Sequence, residues 1–317
     1  MEKPYVVGID IGGQTTKIGI VDHHGAILSQ TVISSTYGPD SGDKFMDAVC
    51  SAVQSLCSEV GFNKIQGIGI GAPNGNYYTG MIENSPNLPW ANGKRVFLKQ
   101  YIENKLTLPV TVTNDADAAA IGEMTYGAAR GMKNFILITL GTGVGSGIVI
   151  NGNIVYGHDG FAGELGHVTV VKHNGRRCGC GREGCLETYA SANGVTKTAR
   201  EWLFSGKYPN SKLAEIEEIT SKDVYNAALS GDELAVDVFN FTGHILGEAF
   251  ANFIAFSAPE AIVLFGGLAR AGDYLMKPIK EAMNANVLPI WKDKVALIPS
   301  ALKESDAAIL GASALAW

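Results

Sequence analysis

Residues 5–33 read YVVGIDI-GGQT-TKIGIV-DHHG-AILSQTVI, and residues 135–156 read FILITL-GTGVGSG-IVI-NGN-IVY. Each opens on an apolar, β-branched run that reads as a buried strand. A glycine turn follows, then a second strand, a polar turn and a third strand. The shared order reads as a diverged internal repeat, against the alternative of two unrelated hairpins. Between the two segments, Phe45, Met46, Val49, Val53 and Leu56 recur at helical spacing and predict a helix at about 42–60. Further strands are expected at Gly67–Gly71 and Val110–Thr113. Past residue 193 the pattern is helical to about 257; Ala261–Phe265 then reads as a buried strand ending in Gly266-Gly267. An apolar last helix is expected near Ser305–Leu315.

These elements predict an α/β chain of two lobes with a cleft between them, where small ligands usually bind. The smaller N-terminal lobe is expected from residues 1–113 plus about 300–317, and the larger C-terminal lobe, with a cysteine-rich loop, from 114–299. Composition narrows the function. Glycine supplies 39 of 317 residues, about 12% where an ordinary chain has ~7%. Sixteen glycines fall between Gly122 and Gly184 and four between Val195 and Phe265, so turns around a site are expected first and helices after. No apolar stretch reaches the ~20 residues of a membrane span. The net charge of -6, with no basic run, argues against a nucleic-acid partner. Met1-Glu2-Lys3-Pro4 lacks the shape of a signal peptide. Five cysteines, an odd number, argue against a disulfide framework and for a cytoplasmic location. Cys50 and Cys57 lie in the first helical pattern and are expected to be buried, inert thiols.

A glycine turn at a strand end exposes backbone N–H groups that can ring an anion. Two such turns, Gly12-Gly13-Gln14-Thr15 and the run Gly141–Gly147, could hold a polyphosphate from both sides. Neither is a P-loop, and the second is followed by a strand rather than by the helix of a dinucleotide fingerprint. Asp10, beside the first turn, could hold Mg²⁺ or simply cap the turn. Asp115 opens a small-residue helix in the crossover, where the helix N-terminus favours its ionised form; a plain capping role is the alternative.

Residues 178–185 read Cys-Gly-Cys-Gly-Arg-Glu-Gly-Cys and crowd Cys178, Cys180 and Cys185 into one knuckle. Tetrahedral zinc needs a fourth ligand, for which His167 is the best candidate, ahead of His158 and His173. Three Cys and one His leave no position for a reacting water, so the zinc is expected to be structural; a reduced or redox thiol cluster is the rival reading. Glu164 and Glu187 flank the knuckle, and carboxylates around a glycine-rich pocket suit sugar hydroxyls.

With these motifs in place, the chain resembles the ROK family of sugar kinases and related repressors over essentially its whole length. The stretch Glu164-Leu165-Gly166-His167, the knuckle continued to Glu187, NDADAAA at 114–120, LGTGVGSG at 140–147 and Gly266-Gly267 carry the resemblance. It implies two ribonuclease-H-like lobes of the actin and hexokinase type. It implies ATP-dependent phosphorylation of a hexose at its 6-hydroxyl, with glucose expected and N-acetylhexosamines, mannose and fructose as alternatives. Asp115 is then the catalytic base, and Asn114, Asp115, Glu164, His167 and Glu187 hold the sugar. ATP with Mg²⁺ lies between the turns, with Asp10, Gly12, Gly13, Gln14, Thr15, Gly141, Thr142 and Gly143 around the phosphates and Gly266 and Gly267 near the nucleoside. His167 serves both zinc and sugar through its two ring nitrogens. A homodimer is implied.

Three positions depart from the family pattern. Gln14 stands where Thr is usual, so that either Thr15 supplies the hydroxyl or the phosphate contact is altered; Asp117 replaces a common Asn; Asn74 replaces a Gly. The rival class, a sugar-sensing repressor, would carry a helix-turn-helix module ahead of the kinase-like part, and the first strand begins by residue 5. A non-catalytic sugar-binding protein would lack the base or the phosphate turns.

Overall fold

The computed structural model describes residues 3–317; Met1 and Glu2, where the smaller lobe is expected to begin, lie outside the described residues. The strands are β1 (Tyr5–Ile11), β2 (Thr15–Asp22), β3 (Ile27–Ser34), β4 (Ile65–Ala72), β5 (Ile82–Glu83), β6 (Arg95–Val96), β7 (Val110–Asn114), β8 (Phe135–Leu140), β9 (Val144–Ile150), β10 (Asn153–Ile154), β11 (Ala261–Phe265) and β12 (Ala296–Pro299). The helices are α1 (Gly42–Val60), α2 (Leu98–Leu106), α3 (Asp115–Tyr126), α4 (Glu187–Ala190), α5 (Ala192–Phe204), α6 (Ser221–Leu229), α7 (Glu233–Ser257), α8 (Asp273–Asn286) and α9 (Glu304–Ser313).

Two five-stranded sheets carry the fold, in the orders β3-β2-β1-β4-β7 and β10-β9-β8-β11-β12. In each, an antiparallel meander is extended by two parallel strands. The repeat visible between residues 5–33 and 135–156 is therefore the same meander in the same place in both sheets. The central strands are apolar almost throughout because both faces are covered. In β8, Ile136, Ile138 and Leu140 face a core shared with α5, α7 and α8, while Phe135 and Leu137 face Ala120 of α3. In the first sheet, α1 and α2 pack on one side and α9 on β1, β2 and β4.

Helices α3 and α9 lie against each other between the two sheets. The fit is close enough to exclude side chains. A Cβ on Gly8 would stand 2.2 Å from the Ile309 carbonyl oxygen, and one on Gly69 would stand 1.9 Å from that of Ala312. This corrects the reading of residues 141–147 as one long turn. The turn is Gly141–Gly143; Gly145 and Gly147 are inside β9, where added Cβ atoms would come within 3.1 Å of Ala116 Cβ and 2.6 Å of Ala120 Cβ. Those two glycines admit α3 to the sheet rather than cradling an anion.

Candidate active site

Between the sheets, at the C-terminal ends of β7, β8 and β11, lies a cavity of about 490 Å³. This is where open α/β sheets place ligands. Strand β7 ends at Asn114, whose Oδ1 accepts a 2.8 Å hydrogen bond from the Ala116 amide and caps α3. Asp115, the first residue of α3, accepts from the same amide at 2.8 Å. Asp115 is open to the cavity but otherwise ringed by protein. That desolvation raises its pKa against the pull of the Ala116 amide and its own.

Glu164, His167 and Glu187 line the same cavity. Burial raises the Glu164 pKa; His167 opposes the rise, and the Asp115 and Glu187 charges add to it. Glu187, at the start of α4, accepts from the Val144 amide at 3.0 Å and so ties the acidic side of the cavity to the glycine turn. That turn closes through a 3.0 Å bond from the Gly141 amide to the Gly143 carbonyl. A Cβ on Gly143 would sit 2.2 Å from Glu187 Oε2. Gly266 and Gly267 follow β11 and complete the far wall. Gly266, at φ +104°, packs where a Cβ would stand 2.6 Å from the Leu140 carbonyl oxygen.

The first turn is placed differently from the second. Gly13, Gln14 and Thr15 are exposed, and neither they nor Asp10 line the cavity. They border it through Asn87, which does line it, its carbonyl oxygen standing 3.2 Å from a Cβ placed on Gly13. Asp10 is nonetheless electrically part of the site. Burial, then the charge of Asp115, push its pKa up to about 6 against the opposing charge of Lys17. Asn74, where a glycine is usual, has φ +56°, a left-handed conformation that Asn tolerates best among residues with a side chain. Its amide also donates to the carbonyls of Glu83 and Asn84 at 3.1 and 3.0 Å, so the loop shape is retained.

Asn87, Thr139 and Phe161 line the cavity and were not singled out individually from sequence, although 72–92 and 157–167, which hold Asn87 and Phe161, are stretches expected to shape a sugar pocket. Thr139 had a local signal, since its neighbour across the hairpin is a glycine: its Oγ1 accepts from the Gly145 amide at 3.1 Å. Asn87 and Phe161 sit in long connections whose path no periodicity reveals. A cavity of about 510 Å³ between residues 207–216 and 223–234 holds none of the expected site residues.

His167, Cys178, Cys180 and Cys185 converge, with all four ligand atoms within 4.8 Å of one another. His158 and His173 are not in this group. His167 Nδ1 is 3.6 Å from Cys178 Sγ, and Cys180 Sγ is 3.7 Å from Cys185 Sγ. Ideal tetrahedral bonds to zinc would set these separations at about 3.5 and about 3.8 Å. The donor set and the spacing therefore fit a closed zinc site. Arg182 braces the knuckle, donating to the His167 carbonyl at 3.2 Å and to Thr169 Oγ1 at 3.0 Å.

Known proteins resemble this chain over nearly its whole length. A glucokinase of Halalkalibacterium halodurans is 41% identical over 91% of this chain and 88% of its own. A xylose repressor of Bacillus spizizenii is 28% identical over 98% of this chain and 76% of its own. The crystal structure of a ROK family glucokinase from Streptomyces griseus in complex with glucose and AMPPNP superposes with a TM-score of 0.80, at 31% identity and 98% coverage of both chains. The sequence model of the ROK family matches residues 6–317, and the chain belongs to that family.

Proposed function

We propose that this protein is an ATP-dependent hexose 6-phosphotransferase whose substrate is glucose. The observation that carries the reading is the shared cavity. Asp115, at the N-terminus of α3, opens onto the same space as the sugar-side acids Glu164 and Glu187, the Gly141–Gly143 turn and Gly266-Gly267. The sugar 6-hydroxyl attacks the γ-phosphorus in line, its O–P bond forming as the bridging O–P bond breaks and ADP leaves. Asp115 orients that hydroxyl and takes its proton. Its raised pKa makes it a stronger base than an ordinary carboxylate, although proton transfer to a carboxylate is still late. Asn114, Glu164, His167 and Glu187 hold the remaining hydroxyls.

The backbone amides of the Gly141–Gly143 turn face the phosphates from one lobe, and Gly12, Gly13, Gln14 and Thr15 face them from the other. Mg²⁺ bound with ATP would neutralise phosphate charge, and Asp10 would be the carboxylate that holds it. Zinc is structural, held by His167, Cys178, Cys180 and Cys185. We also propose that residues 1–113 with about 300–317 form one lobe and 114–299 the other, with α9 returning to the first sheet in support. A cytoplasmic homodimer completes the reading; five free cysteines and the exposed rings of Phe204 and Phe256 agree with it.

The test is coupled ADP release with glucose, N-acetylglucosamine, N-acetylmannosamine, mannose and fructose. Glucose is expected to give the highest kcat/KM. ADP release with none of them would overturn the kinase reading, and a higher value for another hexose would reassign the substrate.

A further inference from the structure

Asp117 lies in the first turn of α3 and is 3% exposed. An ionised carboxylate offers about four acceptor positions, yet among the described residues Asp117 makes a single hydrogen bond. It is a long one, from Thr113 Oγ1 at 3.4 Å. Helix capping does not account for the residue. Asn114 and Asp115 share the Ala116 amide, and Asp117 does not turn back to the Asn114 amide as a capping-box acid would. A carboxyl buried with so few partners is costly, and such groups are normally satisfied by protein, water or ligand.

Tyr156, whose pKa burial and then the Asp117 charge push up, lies near that carboxyl on one side; its other open direction is the cavity, which Asp117 lines together with Asn114, Asp115 and Glu164. Burial, and then the charges of Asp115 and Glu164, push its pKa up to about 7 against the Thr113 hydroxyl, so it can act there as acceptor or donor. We propose that Asp117 is a specificity-determining residue of the sugar site, its carboxyl exchanging a hydrogen bond with a ring hydroxyl of the bound hexose. This rests on the hexose-kinase reading above and extends the set of sugar ligands by one side chain that the family pattern does not supply.

The test compares the full-length protein with its Asp117→Asn and Asp117→Ala variants. Each is given glucose and 2-, 3- and 4-deoxyglucose, with rates measured by ADP release and binding measured by calorimetry. The unmodified protein should lose about 10- to 100-fold against one deoxy sugar, the range for a hydrogen bond to a charged group. Asp117→Ala should lose a comparable factor with glucose and no further factor with that one deoxy sugar. Asp117→Asn, which can still donate and accept, should fold and shift the preference for the same sugar about 3-fold or more. A folded Asp117→Ala variant with unchanged glucose affinity and unchanged deoxy-sugar penalties overturns the proposal. If that variant does not fold, an Asp117→Asn profile identical to the parent overturns it instead. Sugar binding without ADP release would sink the kinase reading alone, because the calorimetric profiles still report on Asp117.

Discussion

His167 stands with Nδ1 3.6 Å from Cys178 Sγ and Nε2 3.9 Å from Glu164 Oε2, so one imidazole faces both the cysteine knuckle and the cavity. Metal at the knuckle would fix the tautomer and the angle of the ring, leaving Nε2 to the sugar. Loss of zinc is therefore expected to damage sugar binding as well as stability. Cys185→Ser should lower zinc from one equivalent per chain to below half, lower the melting temperature and raise the glucose KM about 10-fold or more. Less than half an equivalent of zinc in the untreated parent protein would count against the site.

Asp115→Asn keeps the shape and removes the base. Turnover should fall by at least about 10²-fold, while the melting temperature holds or rises because a desolvated charge has gone. A variant keeping a tenth of the parent turnover rules out Asp115 as the base.

The pH responses of activity and stability should run in opposite directions. Asp10 titrates near 6, and Asp115 above the ordinary carboxylate value, both raised chiefly by burial. As the proposed base Asp115 must be ionised, so kcat/KM for glucose should fall on acidification well before the usual carboxylate pKa of ~4. For stability, a folded pKa above the unfolded one means the folded chain binds more protons between the two values. Unfolding free energy therefore decreases as pH rises from about 4 to about 6 through Asp10. The exposed acids with lowered pKa, such as Asp47, Asp223 and Glu260, act in the opposite sense, because the unfolded chain takes up their protons near pH ~4 while the folded chain does not, and so they weaken the trend at its acid end. Asp10→Asn should lessen the fall of the melting temperature between about pH 4.5 and about 6.5 without abolishing it, since Asp117, raised to about 7, and the raised Asp115 and Glu164 keep their shares; a slope identical to the parent would contradict the assignment.

Glycines should separate by what surrounds them. Gly147→Ala and Gly311→Ala place Cβ atoms 2.6 Å from Ala120 Cβ and 2.7 Å from the Ala118 carbonyl oxygen, respectively. Each should cost about 1–3 kcal/mol or more in denaturant unfolding. Gly267 has nothing within 4 Å of its added Cβ. Gly267→Ala should leave unfolding within about 0.5 kcal/mol of the parent and act on the ATP KM instead.

Much of this was legible in the sequence, and the limits are physical. Apolar runs bounded by glycine located β1, β8 and β11 to the residue, because strands buried on both faces leave no ambiguity of period. Cysteine spacing and one upstream histidine located the knuckle, since metal geometry tolerates little variation. Asp115 was legible because it follows a strand and opens a helix. What misled was glycine itself. Gly145 and Gly147 look like turn residues in sequence, and only the approach of α3 reveals them as part of a strand. Gln14 and Thr15 carry a phosphate motif, and the structure sets them on the exposed β1–β2 turn at the border of the cavity rather than in its wall. Asn87 and Phe161 were legible only through the connections they belong to, because connections of that length leave no periodic trace of which side chains point inward.

The contact of Gly122 with Gly311 has a mechanical consequence. A Cβ at 122 would stand 2.7 Å from Gly311 Cα, so α3 and α9 touch backbone to backbone. Ordinary helix pairs interlock ridges in grooves, and turning one against the other drags side chains out of their holes. A glycine crossing has no such teeth. We expect it to serve as a bearing on which the two sheets swing together when sugar binds. Small-angle scattering should show the parent contracting on addition of glucose and Gly122→Ala contracting less; equal contraction would show that the pivot lies elsewhere.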